Sequence, residues 1–133
     1  MTGRERISTN EAPGAIGPYS QALRIGESIY CSGQIPLDPA TGVLVGDDVA
    51  TQTRQVLKNL EAVLRAAGSS LKDAVKCQVF LADEGDFAKN FAAMNAVYVE
   101  AFGDPPPARS CIAAARLPKG ALVEIDVVAV RSR

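Results

Sequence analysis

The 133-residue chain contains no histidine. Histidine is the side chain most often used as a general base near neutral pH, and it is also the most common metal ligand. Any chemistry that this protein performs must therefore use Glu, Asp, Tyr, Ser, Lys, Arg, Cys or the backbone.

Cysteine is scarce as well. The three cysteines, Cys31, Cys77 and Cys111, are odd in number and widely spaced. This pattern argues against a disulfide framework and against a zinc site. We expect two of the three to be small buried side chains, and no metal site is predicted.

Long apolar runs are also missing. No stretch approaches the roughly 18 to 20 apolar residues that a membrane span needs, and residues 1–7 lack the apolar segment of a secretory signal. A composition of 47% hydrophobic and 22% charged residues is typical of a soluble globular protein. We expect a single domain over residues 1–133, located in the cytoplasm and without a membrane partner.

The chain has no excess of basic residues. It carries 14 Lys and Arg against 15 Asp and Glu, and no basic cluster is interleaved with aromatic residues. Proteins that bind phosphate backbones usually carry a basic patch. We therefore expect no nucleic-acid partner, although a folded surface that gathers scattered arginines remains an alternative.

Hydrophobic periodicity divides the chain into six strands and two helices. Apolar residues recur at helical spacing after Asp47 and Asp48 as far as Gly68, and again from Asp86 to Gly103, so the aspartates are candidate N-caps. Apolar residues at every second position predict a strand whose buried face carries Val75, Cys77, Val79 and Leu81. The remaining expected strands are residues 7–10, 19–26, 28–35 and two segments joined around residues 117–120. We expect residues 19–26 and 28–35 to form a hairpin, and the last two strands to pair as a second hairpin.

This order, β-β-β-α-β-α-β-β, predicts an α+β fold in which both helices cover one face of one sheet. In the last strand, an apolar face alternates with a mixed face that carries Glu124 and Asp126. The face opposite the helices is too apolar for water and too charged for a dry core. Because closed homo-oligomers often cover such faces, we expect an oligomer with these faces turned inward.

Arg109 stands out because it follows three prolines and begins an otherwise small and apolar strand. The prolines restrict the backbone and so define the direction in which the guanidinium starts. Burying an arginine without a partner costs several kcal/mol. Arg109 therefore either pairs with Glu124 or Asp126 inside the protein, or it holds a carboxylate from outside with two parallel hydrogen bonds.

Glu124 is the leading candidate for activating water, because it lies between two apolar residues where burial raises the pKa of a carboxyl group. Its alternative role is that of a solvated or ion-paired strand residue. Cys111 shares a strand face with Arg109. Lacking a histidine beside it, Cys111 is better explained as a small pocket residue that offers its backbone carbonyl than as a nucleophile.

Four further residues are candidates for lining a site. Gly33 could let the backbone approach a ligand, while Tyr19 and Ser32 could supply hydroxyl groups. Asn95 lies in the middle of a helix, where its low helix propensity suggests a specific hydrogen bond. Turn formation and packing would explain Tyr19, Ser32 and Gly33 equally well, and Asn95 could simply satisfy a neighbouring backbone group.

Six short motifs occur in order along the chain. They are AIGPYSQ at residues 15–21, SGQIP at 32–36, MNAVY at 94–98, PARSC at 107–111, RLP at 116–118 and VEI at 123–125. Each motif is weak alone, but the ordered set is specific. Together they resemble the RidA family, also called YjgF, over nearly the whole chain.

The resemblance implies a chorismate-mutase-like fold with a six-stranded mixed sheet, two helices on one face and a homotrimeric assembly. It implies active sites between subunits that hydrolyse 2-imino acids and their enamine tautomers to 2-oxo acids and ammonia, without a cofactor or metal. By motif, Arg109 would hold the substrate carboxylate, and Glu124 with the Cys111 carbonyl would position the attacking water. The residues that would line the site are Tyr19, Ser32, Gly33 and Asn95.

Two other readings use the same residues. The clefts could bind a carboxylate metabolite so that the trimer regulates a partner without turnover. Proteins resembling this family have also been linked to ribonuclease or chaperone-like behaviour, for which the missing histidine and the missing basic patch give little physical support.

Overall fold

The computed structural model describes residues 3–133, which form six strands and two α-helices in the expected order. The elements are β1 Glu5–Ile7, β2 Ala22–Ile25, β3 Ser28–Gln34, α1 Val49–Ala66, β4 Ala74–Ala82, α2 Phe87–Tyr98, β5 Ala108–Ala114 and β6 Val123–Val130. β1 thus lies slightly before the predicted position, and β2 begins three residues later than predicted. The α+β class predicted from periodicity is confirmed.

All six strands belong to one mixed sheet in the order β1-β2-β3-β6-β4-β5. β2 and β3 form the expected hairpin, with Gly26 at a positive φ of 57° in the turn. β4 and β5 are parallel, whereas the other neighbours are antiparallel. β5 therefore forms one edge of the sheet, and β6 lies near its centre.

The prediction that the last two strands pair with each other is wrong. β6 lies between β3 and β4, and β5 pairs with the far side of β4. The buried side chains of β6 explain this placement, because a strand that buries one whole face and half-buries the other gains most from a central position. β5 is mostly exposed or half-buried and occupies the edge.

Both helices cover the same face of the sheet. The centre of the core is formed by α1 side chains packed against β3, β4 and β6, among them Val56, Leu60, Leu64, Ile29, Val79 and Ile125. Cys31 and Cys77 are also buried there, as expected. In the part of the chain that the structure describes, no helix combines the length and apolar character needed to cross a membrane.

Aspartate N-caps begin both helices. The Asp48 side chain accepts a hydrogen bond from the Thr51 backbone N at 3.0 Å, and the Asp86 side chain accepts one from Lys89 N at 3.3 Å. α2 ends at Tyr98 and not, as predicted, at Gly103. The prediction failed because Phe102 still packs in the core from an irregular turn, which extends the apolar stripe beyond the helix.

One residue of β4 departs from the predicted alternation. Cys77, Val79 and Leu81 are buried on the helix face, but Val75 is 46% exposed. The pairing of β4 with β6 shifts register between Ala74 and Lys76, which adds one residue to the strand. A residue inserted in this way leaves the period-two pattern, so Val75 does not belong to the buried face.

The sheet face opposite the helices is open and mixed in character. Its exposed apolar side chains are Ile25, Tyr30, Ile112 and Val130. The half-buried carboxylates of Glu124 and Asp126 lie on the same face. This open face has the composition that the sequence predicts for the surface turned toward neighbouring subunits.

A buried asparagine fixes the chain that follows β3. Asn59 of α1 is fully buried, and its Nδ2 donates to the Ile35 and Leu37 carbonyls at 3.3 and 3.0 Å. Its Oδ1 accepts from Gln55 Nε2 at 2.8 Å. These bonds tie the segment next to Ser32 and Gly33 to the helix layer.

Replacing this amide should destabilise the protein. In Asn59→Leu, buried carbonyls lose their donor, so we expect the free energy of unfolding to fall by about 1–3 kcal/mol. Urea denaturation at a fixed protein concentration measures the change. Lys58→Leu, at the exposed neighbouring position, is the control and should change stability by less than about 0.5 kcal/mol. Wild-type stability in Asn59→Leu would contradict the assigned role.

Candidate active site

Arg109 lies on the helix-covered side of edge strand β5, next to α2. Its Nη1 donates to Asn95 Oδ1 at 2.6 Å. The guanidinium carbon lies 4.8 Å from the Tyr98 ring centroid and 5.4 Å from that of Phe91. A cation over aromatic faces is attracted by about 0.5–2 kcal/mol per ring. The guanidinium is therefore held in place while it remains half-buried.

No carboxylate pairs with Arg109. Among residues 3–133, the ion pairs join Arg24 to Glu5 and Arg65 to Glu61. Glu124 and Asp126, the two partners considered from the sequence, lie on the opposite face of the sheet. The internal salt bridge is therefore excluded, and the guanidinium keeps donors for an external anion.

Asn95 makes the kind of hydrogen bond that its position within the helix predicts. It lies one helical turn after Phe91, so both side chains face Arg109. The apolar periodicity of residues 86–103 predicts Phe91 and Tyr98 as core-facing residues and gives them no contact with Arg109. Their spacing from Asn95, four residues before and three after, was the available signal that all three share one helix face.

The Cys111 side chain packs against the core on the same sheet face as Arg109. Burial raises the pKa of its thiol, and the positive charge of Arg109 offsets this only in part. Burial also raises the pKa of the Cys31 thiol to about 12 and that of Cys77 to about 11. All three thiols are neutral near pH 7, which argues against a thiolate nucleophile.

The backbone of Cys111 points to the free edge of the sheet. The carbonyl of Ala114, three residues later, accepts from Asp83 N at 2.7 Å on the β4 side. Because backbone groups alternate in direction along a strand, Cys111 directs its N–H and C=O the opposite way. Its carbonyl is thus free to accept a hydrogen bond from a ligand or water at the edge.

Glu124 lies on the open face of the central strand β6, opposite Phe80 of β4. Its side chain is half-buried. Burial raises the pKa of the Glu124 carboxyl, and the neighbouring charge of Asp126 raises it further. Glu124 is thus a stronger base than an ordinary surface glutamate.

Gly33 lies directly beneath the Glu124 carboxylate. A Cβ added to Gly33 would lie 3.0 Å from Glu124 Cδ and closer still to a carboxylate oxygen. The pairing of β3 with β6 shifts register between Cys31 and Gln34, which brings Gly33 into this position. A Cβ at this position would displace the Glu124 carboxylate from its present place, which gives the glycine of the Ser-Gly motif a steric basis.

Tyr19 and Ser32 complete the surroundings of Glu124. Ser32 donates through its backbone N to the Gln21 carbonyl at 3.0 Å and through Oγ to the Ser20 carbonyl at 2.6 Å. The Tyr19 hydroxyl accepts from Ile16 N at 3.2 Å. These residues line a pocket of about 370 Å³ together with Ile16, Gly33, Ile35, Pro118 and Glu124.

Sequence analysis gave Gln21 no role of its own, although it belongs to the AIGPYSQ motif. Its side chain is buried; Oε1 accepts from Thr9 N at 2.8 Å, and Nε2 donates to the Thr9 and Pro13 carbonyls at 3.1 and 2.8 Å. These bonds fix the loop that leads to Tyr19. The sequence indicates this role only by the position of Gln21 directly before an apolar strand, where a polar side chain that is buried needs hydrogen-bond partners.

The candidate residues therefore form two groups in one chain. The arginine group consists of Arg109, Asn95 and the Cys111 carbonyl at the β5 edge, and the glutamate group consists of Tyr19, Ser32, Gly33 and Glu124 on the open face. β4 separates the two strands that carry Arg109 and Glu124, so these strands lie about 10 Å apart across the sheet. The two residues are further apart than this, because they pair with Cys77 and Phe80, three residues apart along β4, and face opposite sides. One small ligand cannot contact both groups of the same chain.

Within residues 3–133, no three Cys, Asp or Glu side chains are grouped in a way that could hold a metal ion. The two groups of candidate residues carry the Arg109 guanidinium and the Glu124 carboxylate, with Asp126 beside Glu124. A fixed cation can bind an anionic ligand, and a carboxylate with a raised pKa can accept a proton.

The family model described as Endoribonuclease L-PSP matches residues 9–131. The chain belongs to this family, the RidA family. A RutC family protein of Pyrococcus horikoshii is 50% identical over 128 residues, which cover 96% of this chain and 98% of that protein. The membership expected from the six motifs is confirmed.

Two further RidA-family proteins bear on the reaction and the fold. The 2-iminobutanoate/2-iminopropanoate deaminase of Salmonella typhimurium is 47% identical over 125 residues, covering 94% of this chain and 96% of the deaminase. The crystal structure of Escherichia coli TdcF with bound serine matches with a TM-score of 0.82 at 42% identity, covering 96% of this chain and 99% of TdcF. The predicted RidA-like fold is confirmed.

Removing the charge of Asp126 should make Glu124 more acidic. Asp126 raises the pKa of Glu124 by disfavouring a second negative charge, so Asp126→Asn is expected to lower that pKa. Carboxyl NMR titration measures the shift directly. Asp83→Asn, which changes an exposed carboxylate at the end of β4, is the control and should leave the Glu124 titration unchanged. An unchanged or higher Glu124 pKa in Asp126→Asn would contradict the coupling.

Proposed function

We propose that this protein hydrolyses 2-imino acids and their enamine tautomers, such as 2-aminoacrylate and 2-aminocrotonate, to 2-oxo acids and ammonia. The observation that carries the proposal is the Arg109 guanidinium, which Asn95 and two aromatic rings hold in place without a carboxylate partner. The name of the Salmonella typhimurium relative supports the same reaction.

Arg109 binds the substrate carboxylate in this proposal. A planar guanidinium forms two parallel hydrogen bonds to a carboxylate, which orients the ligand as well as binding it. The bond from Nη1 to Asn95 restricts rotation of the guanidinium, so less conformational freedom is lost when substrate binds. The serine bound in the TdcF crystal structure is likewise a small molecule with a carboxylate.

The complete site forms between neighbouring subunits of a homotrimer. Because the arginine group and the glutamate group lie on opposite faces, the β5 edge of one subunit must meet the glutamate group of the next. The exposed apolar residues of the open face give such an assembly its driving force. Arg109 and Glu124 then approach one substrate from two chains.

Hydrolysis proceeds by addition of water to the imine carbon. The protonated imine is the electrophile. The Cys111 carbonyl orients the water, and Glu124 takes one of its protons as the C–O bond forms, which leaves a neutral carbinolamine. Glu124 then gives that proton to the amine nitrogen and takes the hydroxyl proton as the C–N bond breaks, so that ammonia leaves and the 2-oxo acid remains. Such imines already hydrolyse unaided, so orientation and one base suffice for acceleration.

Arg109→Ala should abolish most of this acceleration, because the substrate carboxylate loses its charged, hydrogen-bonded partner. We expect kcat/KM to fall about a hundredfold or more. Imines released by a threonine or serine dehydratase supply the substrate, and the rate of 2-oxo acid formation is compared with and without the protein. Arg54→Ala, at an exposed arginine on α1, is the matched control. Full activity in Arg109→Ala would refute the carboxylate role.

Glu124→Gln separates an enzyme from a trimer that only binds carboxylates. The amide keeps the shape of the side chain but cannot accept the proton, so we expect binding of a 2-oxo acid to persist in calorimetry. Turnover should fall about 10²–10⁴-fold. Wild-type turnover in Glu124→Gln would remove the glutamate from the mechanism, and wild-type protein that binds without accelerating hydrolysis would establish the binding trimer.

Mixing the two inactive variants tests where the site is assembled. In trimers reassembled from equal amounts of Arg109→Ala and Glu124→Gln, about one quarter of the interfaces pair an intact Arg109 with an intact Glu124. We expect activity near that fraction of wild type. Absence of any recovery, with mixed trimers verified by mass spectrometry, would place both residues of a working site in one chain.

A further inference from the structure

The pocket beside Glu124 has more room and more apolar wall than the activation of one water molecule requires. Its volume is about 370 Å³, whereas a water molecule occupies about 30 Å³ in the liquid. Ile16, Ile35 and Pro118 form apolar parts of its wall. Such walls suit a carbon group of a ligand better than a water molecule, which needs about two to four polar partners. The Glu124 carboxylate is therefore placed to meet a carbon atom of a ligand as well as a water molecule.

The substrate atom that matters here is C3, the first carbon of the side chain. In the proposed hydrolysis the imine carbon C2 lies beside Glu124, and C3 is one bond away from it. Water adds to C2 from above the plane of the C=N bond, and a proton adds to C3 of the enamine from above the same conjugated plane. One carboxylate over one face of the substrate therefore serves both positions.

Proton balance connects the two positions. The proposed hydrolysis begins with a protonated imine and the Glu124 carboxylate, and it ends with the hydroxyl proton on Glu124. Glu124 must lose this proton before the next turnover, whereas an enamine needs one proton at C3 to become a protonated imine. Transfer of the proton from Glu124 to C3 meets both needs. Enamine and water then give 2-oxo acid and ammonia without a net exchange of protons with solvent.

The surroundings of Glu124 favour a carboxyl group that alternates between its two protonation states. Among residues 3–133, neither ion pair involves Glu124, so no cation holds it in the ionised form. Burial raises the pKa of its carboxyl group, and the charge of Asp126 raises it further. A group whose pKa lies closer to the working pH both donates and accepts protons effectively.

A hydroxyl group lines the same pocket. The Tyr19 hydroxyl oxygen accepts from Ile16 N at 3.2 Å, and within residues 3–133 its own proton has no acceptor. Removing a proton from C3 of a 2-oxo acid places negative charge on the ketone oxygen, which a hydroxyl donor stabilises. A carboxylate base and a hydroxyl donor in one pocket are the groups that proton transfer next to a carbonyl uses.

We propose that Glu124 also transfers protons to and from C3 of the bound molecule, so that the protein is a tautomerase as well. Glu124 gives its proton to C3 of the enamine as the C2–C3 double bond becomes single and the C2–N bond becomes double, which yields the protonated imine. In the 2-oxo acid, the Glu124 carboxylate removes a proton from C3, and the resulting enolate takes one back from Glu124 at C3. This inference rests on the proposed function for the placement of the substrate.

Pyruvate in D2O tests proton transfer without an imine. We expect wild-type protein to accelerate exchange of the methyl hydrogens for deuterium, measured by the loss of the methyl signal in proton NMR. In Glu124→Gln, assembled to the same mass, the exchange rate should fall about 10²–10⁴-fold. Glu27→Gln changes an exposed glutamate at the opposite end of β3 from Gly33 and should keep the wild-type rate. Wild-type exchange no faster than that of Glu124→Gln would overturn the inference.

The stereochemistry of deuterium incorporation tests the enamine step. A threonine dehydratase in D2O releases 2-aminocrotonate, and lactate dehydrogenase with NADH traps the 2-oxobutanoate as 2-hydroxybutanoate before further exchange. The dehydratase is chosen so that, alone, it gives both configurations at the deuterated C3 equally. With wild-type protein we expect one configuration in at least about tenfold excess by NMR, because Glu124 reaches one face of the enamine. With Glu124→Gln we expect equal amounts.

The two experiments separate this inference from the proposed function. Equal amounts of both configurations, together with faster formation of the 2-oxo acid, would overturn the inference and leave the hydrolysis intact. Exchange of pyruvate and one-sided deuteration without faster formation of the 2-oxo acid would support the tautomerase and refute the hydrolysis.

Discussion

The uncompensated charge of Arg109 is the constraint on which the site depends. A half-buried guanidinium beside an apolar core is costly, and here one amide oxygen and two ring faces supply only part of the stabilisation that a carboxylate would give. The guanidinium is nevertheless held in one position at the start of β5, with donors left over, as the proposed binding of a substrate carboxylate requires. The rest of the architecture determines what that anion can reach.

The strand order of the sheet places the Arg109 cation and the Glu124 carboxylate on different strands and on opposite faces. Because β5 pairs with β4 in parallel and leaves β6 in the centre, Arg109 faces the helices at one edge while Glu124 faces outward from the middle. A single chain thus carries two half-sites and an open face with exposed apolar residues. In the proposed enzyme, assembly and catalysis have the same physical requirement, since covering that face would also complete the site.

Local patterns predicted much of this arrangement. Period-two alternation placed Arg109 with Cys111 and set Glu124 on the mixed face, and the caps Asp48 and Asp86 were evident from residue type. Strand neighbours were not predictable, because alternation specifies which face a side chain occupies and not which strand lies beside it. Whether Arg109 and Glu124 lie on the same face of the sheet depends on that pairing. The sequence alone could therefore not exclude a salt bridge between them.

The surroundings of Glu124 depend on the central position of β6 and on the space that Gly33 leaves beside it. Burial on the central strand raises the pKa of the Glu124 carboxyl, while the proposed mechanism also requires this carboxylate to reach a substrate held by a neighbouring chain. The register shift in β3 and the missing Cβ of Gly33 make room for the Glu124 carboxylate at the wall of the pocket. The sheet thereby supplies a half-buried base that still lines an open pocket, whereas the edge strand supplies the cation.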